Sequence, residues 1–205
     1  MERVALNDEP RIAIVGAGGY GRTALDVLIA AGLADWILGF YDDAHKALAE
    51  RIRGFPVLGD IAMLKSMLSV ETVQVIVAIT DNKDRLRIAN SIRALGGQFT
   101  LAAHPHGYIS DEAIIGGGCV VSAGAVIHPN ATIGSHCYLG PNCLVDRDAQ
   151  VGAGSWISAG AALGTSARIG ARSLLGQNSG VGRKAVVGDD VEVGMLEAVP
   201  PGGQV

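Results

Sequence analysis

Two clusters in this 205-residue chain hold residue types at spacings that suit chemistry. One is Gly16-Ala17-Gly18-Gly19-Tyr20-Gly21-Arg22, which directly follows an apolar run and opens an amphipathic one. Glycines at 16, 18 and 21 match the G-x-G-x-x-G spacing that brings backbone N–H groups against a phosphate at a helix N-terminus. Arg22 in the first helical turn adds a charge-assisted bond to such an anion. Asp42-Asp43 ends the next apolar run, where an acid accepts bonds from ribose or sugar hydroxyls. Thr80-Asp81-Asn82-Lys83 ends a third run and forms a second lip. The candidate nucleotide contacts are therefore Gly16, Gly18, Gly19, Tyr20, Gly21, Arg22, Asp42, Asp43, Asn82 and Lys83. A glycine turn that only packs helix on strand, and a helix cap by Asp81 or Asn82, explain the same residues without a ligand.

The other cluster is Asp146-Arg147-Asp148, two carboxylates around a cation, with His128 upstream of it. Histidine and carboxylates are the usual proton-transfer groups. Arginine stays protonated in proteins, so Arg147 cannot act as a base.

The elements that position the first cluster alternate strand and helix. Arg11–Val15, Ile37–Tyr41, Val73–Ile79 and Phe99–Ala103 read as four strands. Helical patterns separate them, one through Leu25, Leu28 and Ile29 and one through Leu86, Ile88, Ile92 and Leu95, stopped by Gly96-Gly97. Such alternation implies a parallel sheet with helical crossovers. Four strands are too few for two full mononucleotide halves, which favours a nucleotide-sugar over a dinucleotide.

The second cluster sits in a different grammar. Every sixth residue from Ile109 to Val199 is aliphatic, sixteen positions without a miss. A small residue, such as Cys119, Ala125, Ala131 or Cys137, precedes most of these by two places, and glycine often follows directly, as at Gly134, Gly140 and Gly152. Six-residue periodicity of this kind is a solenoid in which each aliphatic fills the interior. Glycine after the aliphatic is expected to supply the corner conformation that a Cβ penalises. Cys119, Cys137 and Cys143 all fall in the small inward slot, so they read as packing groups. The fold class is thus a small Rossmann-like α/β domain over residues 1–105, followed by a parallel β-helix over 106–205. About 18 residues make one coil, so His128 and Asp146 share a column on adjacent coils, about 4.8 Å apart by strand spacing. A solvated corner histidine beside a surface acid is the bland reading of that pair, and His136 reads as another solvated corner. Asp148 is placed to pair with Arg147.

Composition excludes several classes. Net charge is −4 with no basic block, so nucleic acid is not an expected partner. No apolar run approaches the roughly 18–20 residues of a membrane-spanning helix, and no basic-then-apolar leader opens the chain. Membrane insertion is not expected, and a cytoplasmic location is. The three cysteines match no zinc spacing, and no metal is expected.

GAGGYGR, GFYDD, PVLGD (Pro56–Asp60), AITDNKDR (Ala78–Arg85), HPHGYIS (His104–Ser110) and the hexapeptide array together resemble one family across nearly the whole chain. It is the bacterial sugar acyltransferase family of nucleotide-aminosugar N-acetyltransferases and sialic acid O-acetyltransferases. The resemblance implies a left-handed β-helix that assembles as a homotrimer, an N-terminal domain that binds a nucleotide-sugar, and acetyl-CoA as co-substrate in a groove between neighbouring β-helices. It further implies acetyl transfer to a sugar amine or hydroxyl in surface-glycan biosynthesis, with acetyl-CoA contacts at Trp156, Gly164, Thr165 and Gln177. Catalytic candidates are Asp146, Arg147, Asp148 and His128. The chain departs from the family's pattern at Arg147 and Trp156, where the resemblance implies histidines. Tyr138 and Trp156, which precede inward aliphatics, are expected on an inter-subunit or CoA-groove surface. A catalytically silent nucleotide-sugar-binding relative is the alternative, motivated by Arg147. A nicotinamide-dependent oxidoreductase would rest on the glycine motif alone.

Overall fold

A computed structural model describes residues 11–68 and 72–205, so the first ten residues of the 1–105 unit lie outside it. The N-terminal unit is a six-stranded sheet in the order β3-β4-β2-β1-β5-β6. Its strands are β1 (Arg11–Val15), β2 (Ile37–Tyr41), β3 (Arg51–Ile52), β4 (Phe55–Gly59), β5 (Val73–Val77) and β6 (Gln98–Phe99). All neighbours run parallel except the β3–β4 hairpin. Central strands β1 and β5 are buried on both faces, which is why they read as unbroken apolar runs. Helix α1 (Gly19–Ala30) buries Leu25 and Leu28 on one face of the sheet. Helices α2 (Ile61–Met67) and α3 (Asn82–Arg93) cover the other with Leu64, Ile88 and Ile92.

Two strand expectations change. Pro56 lacks an N–H and interrupts the apolar pattern, which hid the β3–β4 hairpin from the periodicity. The stretch Phe99–Ala103 is not one strand. Gln98–Phe99 closes the sheet edge, whereas Ala102–Ala103 pairs with Val120–Val121 and is already the first rung of the β-helix.

From there the chain winds as a left-handed β-helix of two-residue strands, each pairing with the strand 18 residues on. Three flat faces result. The first has outward residues Ala102, Val120, Tyr138, Trp156, Leu174 and Glu192; the second Tyr108, Val126, Leu144, Ala162, Gly180 and Ala198; the third Ile114, Thr132, Gln150, Arg168 and Val186. The inward aliphatics from Val121 to Val199 form one continuous buried core.

The corners are not built as the sequence suggests. Positive φ recurs at every sixth residue from Gly118 to Gly202, and most of these residues are not glycine: Asn130, His136, Asn142, Asp148 and Lys184 all adopt it. The glycines that directly follow the aliphatics have no positive φ. Most of them are required by close approach instead, since a Cβ on Gly152 would lie 2.4 Å from the backbone N of Ala171 on the next coil. Coil stacking therefore selects glycine here, not backbone freedom.

The cysteines pack inward and are all free and buried. Two of them also bond. The Cys119 thiol donates to the Gly134 carbonyl at 3.1 Å and accepts the Cys137 N–H at 3.3 Å. Ser155 and Ser173 repeat this pattern on the coils above, bonding the Gly170 and Gly188 carbonyls at 2.8 and 2.6 Å. Burial pushes the Cys143 thiol up to about 12, which makes it inert.

Opposite outcomes are expected at the two kinds of corner residue. Gly152→Ala forces coils apart and costs about 1–3 kcal/mol, whereas Lys184→Gly, at φ 59, stays within about 1 kcal/mol of the parent. Urea denaturation of both variants checks this.

Candidate functional site

The glycine loop divides by cause. Gly16 has φ +99 and no room for a Cβ beside the Ala78 carbonyl, and a Cβ on Gly21 would strike the Gly16 carbonyl. Packing explains those two. Gly18 and Gly19 have no positive φ, and a Cβ on either would meet nothing within 4 Å. Neither positive φ nor a crowded neighbour requires glycine there; Gly18 is also the N-cap of α1, a position glycine suits. The N-terminus of α1 behind them has no side-chain cap and no acid in its first turn, so it carries the positive end of the helix dipole. Arg22 is exposed on the same turn.

Other predicted contacts are already engaged. Asp42 accepts the Ala17 and Ala44 N–H groups at 2.8 Å each, tying the glycine loop to the end of β2. Asp43 accepts the Ile61 N–H at 3.1 Å at the start of α2. Asn82 donates to the Arg172 and Ser173 carbonyls at 2.9 and 3.3 Å, bridging α3 to the β-helix. Lys83 reaches Asp190 at 3.6 Å. Asn82, Lys83, Arg172, Leu174 and Glu192 line an open cleft of about 550 Å³ between the two units.

Tyr20 turns away from the loop's open side. Its ring lies edge-on to Tyr138 and Trp156, with centroids 5.2 and 4.9 Å apart, inside the contact between α1 and the first β-helix face. Tyr138 is buried and Trp156 half-buried there, so neither stands on an outer surface of the prism as expected. The N-terminal unit covers them.

The residue that joins the units was not singled out by sequence. Arg85 is fully buried, and each of its five N–H donors has an acceptor: the carbonyls of Ile79, Thr80, His136 and Gly154, and Asn82 Oδ1. No carboxylate takes part. A cation in the first turn of an otherwise amphipathic helix was the sole sequence signal.

The second cluster assembles at the corner between the second and third faces. His128 Nδ1 lies 2.9 Å from Asp146 Oδ1, as the column spacing predicts. Asp146 Oδ2 accepts the Thr165 hydroxyl at 2.6 Å, and Oδ1 accepts the Arg147 N–H at 2.8 Å. The Thr165 bond first, then those from His128 and Arg147, lower the Asp146 pKa to about 2, against the partial burial that raises it. Arg147 leans to Asp146 at 3.9 Å rather than to Asp148, whose φ of 58 places it at the corner turn. Gly164 and Thr165 sit in the same columns one coil on. Trp156 lies on the first face and Gln177 at the corner between first and second, so the four predicted acetyl-CoA contacts do not form one site within a single chain.

The two clusters also stand apart. The N-terminal unit docks on the first face and on the corner between third and first. The Asp146 corner is the edge of the prism opposite that face.

Known proteins share this architecture. Residues 11–92 match the family model for the PglD N-terminal domain, and residues 112–147 match that for six bacterial transferase hexapeptide repeats. The acetyltransferase domain of PglB from Neisseria gonorrhoeae is 31% identical, covering 93% of this chain and 91% of that one, with a TM-score of 0.87. This chain belongs to that family of bacterial sugar acetyltransferases. The same gonococcal acetyltransferase domain in complex with acetyl coenzyme A is 30% identical over 96% of each chain, at a TM-score of 0.85. PerB from Caulobacter crescentus, in complex with CoA and GDP-perosamine, is 25% identical over 93% of this chain and 91% of that one, at 0.66. GDP-perosamine N-acetyltransferase from Escherichia coli is 31% identical over 113 residues, and this chain spans 49% of that curated relative's length. Among the described residues of this family member, no group of three or more His, Cys, Asp or Glu residues could hold a metal, and no helix is long and apolar enough to cross a membrane.

His136 is not the solvated corner expected of it. It is fully buried against Phe99, with Nε2 3.0 Å from Arg93. Burial, then the Arg93 and Arg85 charges, pull its pKa down to about 4. The unfolded chain binds a proton near pH 6.5 that the folded chain refuses. Stability therefore falls as pH drops through the window from 6.5 to about 4. This group should make the protein about 2 kcal/mol less stable at pH 5 than at pH 7. His136→Asn, which suits the φ of 60, should flatten that dependence in urea denaturation at the two pH values.

Proposed function

We propose that this protein transfers the acetyl group of acetyl-CoA to the amine of a nucleotide-linked amino sugar, in the cytoplasm, during surface-glycan synthesis. The observation that carries this reading is the pair Gly18 and Gly19, glycines that neither positive φ nor crowding requires, at a helix N-terminus without a side-chain cap. The chain also shares its architecture with the gonococcal acetyltransferase domain that was solved in complex with acetyl coenzyme A. In this reading residues 1–105 bind the nucleotide-sugar, with its phosphates at Gly18, Gly19 and Arg22 and its glycosyl end in the cleft by Lys83. Residues 106–205 hold the donor.

Because the acceptor loop and the Asp146 corner lie on opposite sides of one prism, a working site needs two copies of the chain. The second face supports a homotrimer. Its outward residues Val126, Leu144 and Ala162 are apolar and only half-buried, and Gly180 is a strand glycine with nothing within 4 Å of a Cβ position. A glycine of that kind marks close approach by another backbone or ligand. Three prisms packed through this face bring the Gly164–Thr165 corner of one copy to the Gln177 corner of the next. That groove is the proposed acetyl-CoA site, and the next copy's N-terminal unit overhangs it. The amine then meets the thioester by positioning in a shared cleft.

Arg147 favours a second reading, a nucleotide-sugar-binding relative without turnover. Purified protein, acetyl-CoA and a panel of GDP-, UDP-, dTDP- and CMP-linked amino sugars, followed by thiol release, separate the two. Transfer to at least one sugar is expected. Binding without transfer to any, with activity gained from zero by Arg147→His plus Trp156→His, would establish the silent relative. Light scattering should give a trimer of the 21.0 kDa chain, and Leu144→Asp should yield monomers that have lost turnover.

A further inference from the structure

We propose that His128, one coil before Asp146, is the general base of this reaction in place of a histidine at position 147, where the family resemblance implies one. The inference rests on the transferase reading. Of the chain's five histidines, His128 alone lies within hydrogen-bond distance of a carboxylate among the described residues. His136 is sealed in the domain contact. His45 bonds the Asp42 carbonyl on the N-terminal unit. His104 and His106 stack on each other where the β-helix begins.

The hydrogen bonds fix the tautomer. Asp146 receives three donors, from Thr165, Arg147 and His128, and is ionised at neutral pH. A carboxylate only accepts, so His128 Nδ1 must carry the proton it donates to Oδ1. Neutral imidazole then leaves its unshared pair on Nε2, for which no partner exists among the described residues. The ring is 37% exposed at the corner, so Nε2 is reachable. An acid that orients and stabilises one ring nitrogen while the other faces outward is the arrangement a general base needs. Coil stacking thus presents to Asp146 an imidazole from the coil below in place of one from the adjacent residue.

The step balances as follows. The sugar amine attacks the thioester carbonyl carbon, forming the C–N bond. His128 Nε2 takes the proton from the resulting ammonium. Collapse breaks the C–S bond, and the departing thiolate receives that proton, giving amide and CoA thiol. Arg147, whose Nε lies 3.9 Å from Asp146, keeps its outer guanidinium N–H groups to face the oxyanion.

His128→Asn is the test, alongside Asp146→Asn, in the trimer with acetyl-CoA and the best nucleotide-sugar of the panel. A loss of at least about 100-fold in kcat is expected, with KM for both substrates within threefold and thermal melting little changed. Adding Arg147→His to His128→Asn should restore part of the rate, because both positions address the same carboxylate. His128→Gln repeats the measurement if the asparagine variant folds poorly. An active parent with His128→Asn within threefold of it overturns the assignment and spares the transferase reading. An inactive parent overturns both.

Discussion

The backbone ladder that repeats every 18 residues is the constraint on which the rest of this molecule depends. Val120 donates to the Cys137 carbonyl at 3.0 Å and Val126 to that of Cys143 at 2.8 Å, and the same step recurs up the prism. Because the step is constant, side chains align in columns, and a residue's neighbours are set by arithmetic. His128 meets Asp146, Cys119 meets Cys137, and Ser155 meets Ser173 for this one reason. The columns also restrict composition. Where one coil's backbone crowds the next, as at Gly134 and Gly152, only glycine fits, and where the chain turns left-handed the residue must tolerate positive φ.

Buried polar contact, not only apolar burial, joins the two units. Arg85 is a fully buried cation satisfied by five neutral acceptors contributed by both units. A buried charge without partners is expensive, so removing any part of this set leaves the rest uncompensated. The Tyr20 and Trp156 rings lie beside it, their centroids 6.0 and 5.7 Å from the Arg85 guanidinium. This contact fixes the N-terminal end of α3 against the β-helix. It also leaves the Asp146 corner on the edge of the prism away from the glycine loop of the same chain.

Trp156 illustrates how position and role come apart. The family resemblance sets this column beside the donor, and the indole instead seals the domain contact. Asp148 and Arg147 make the same point: adjacency in sequence suggested a pair, but the corner turn at Asp148 sends Arg147 toward Asp146. His136 reverses from solvated to buried because the same corner that exposes its counterparts elsewhere lies under α3.

The β-helix, its period, the inward slot of the cysteines and the His128–Asp146 column were legible from the sequence alone, because a six-residue repeat with a constant coil length leaves a single register. The parallel core of the N-terminal sheet was legible too, since strands buried on both faces are apolar throughout. The β3–β4 hairpin, the split at Phe99–Ala103, the cause of the corner glycines and the role of Arg85 were decided by tertiary structure. Each of these depends on which surfaces meet across long sequence separations, and local periodicity carries no information about that.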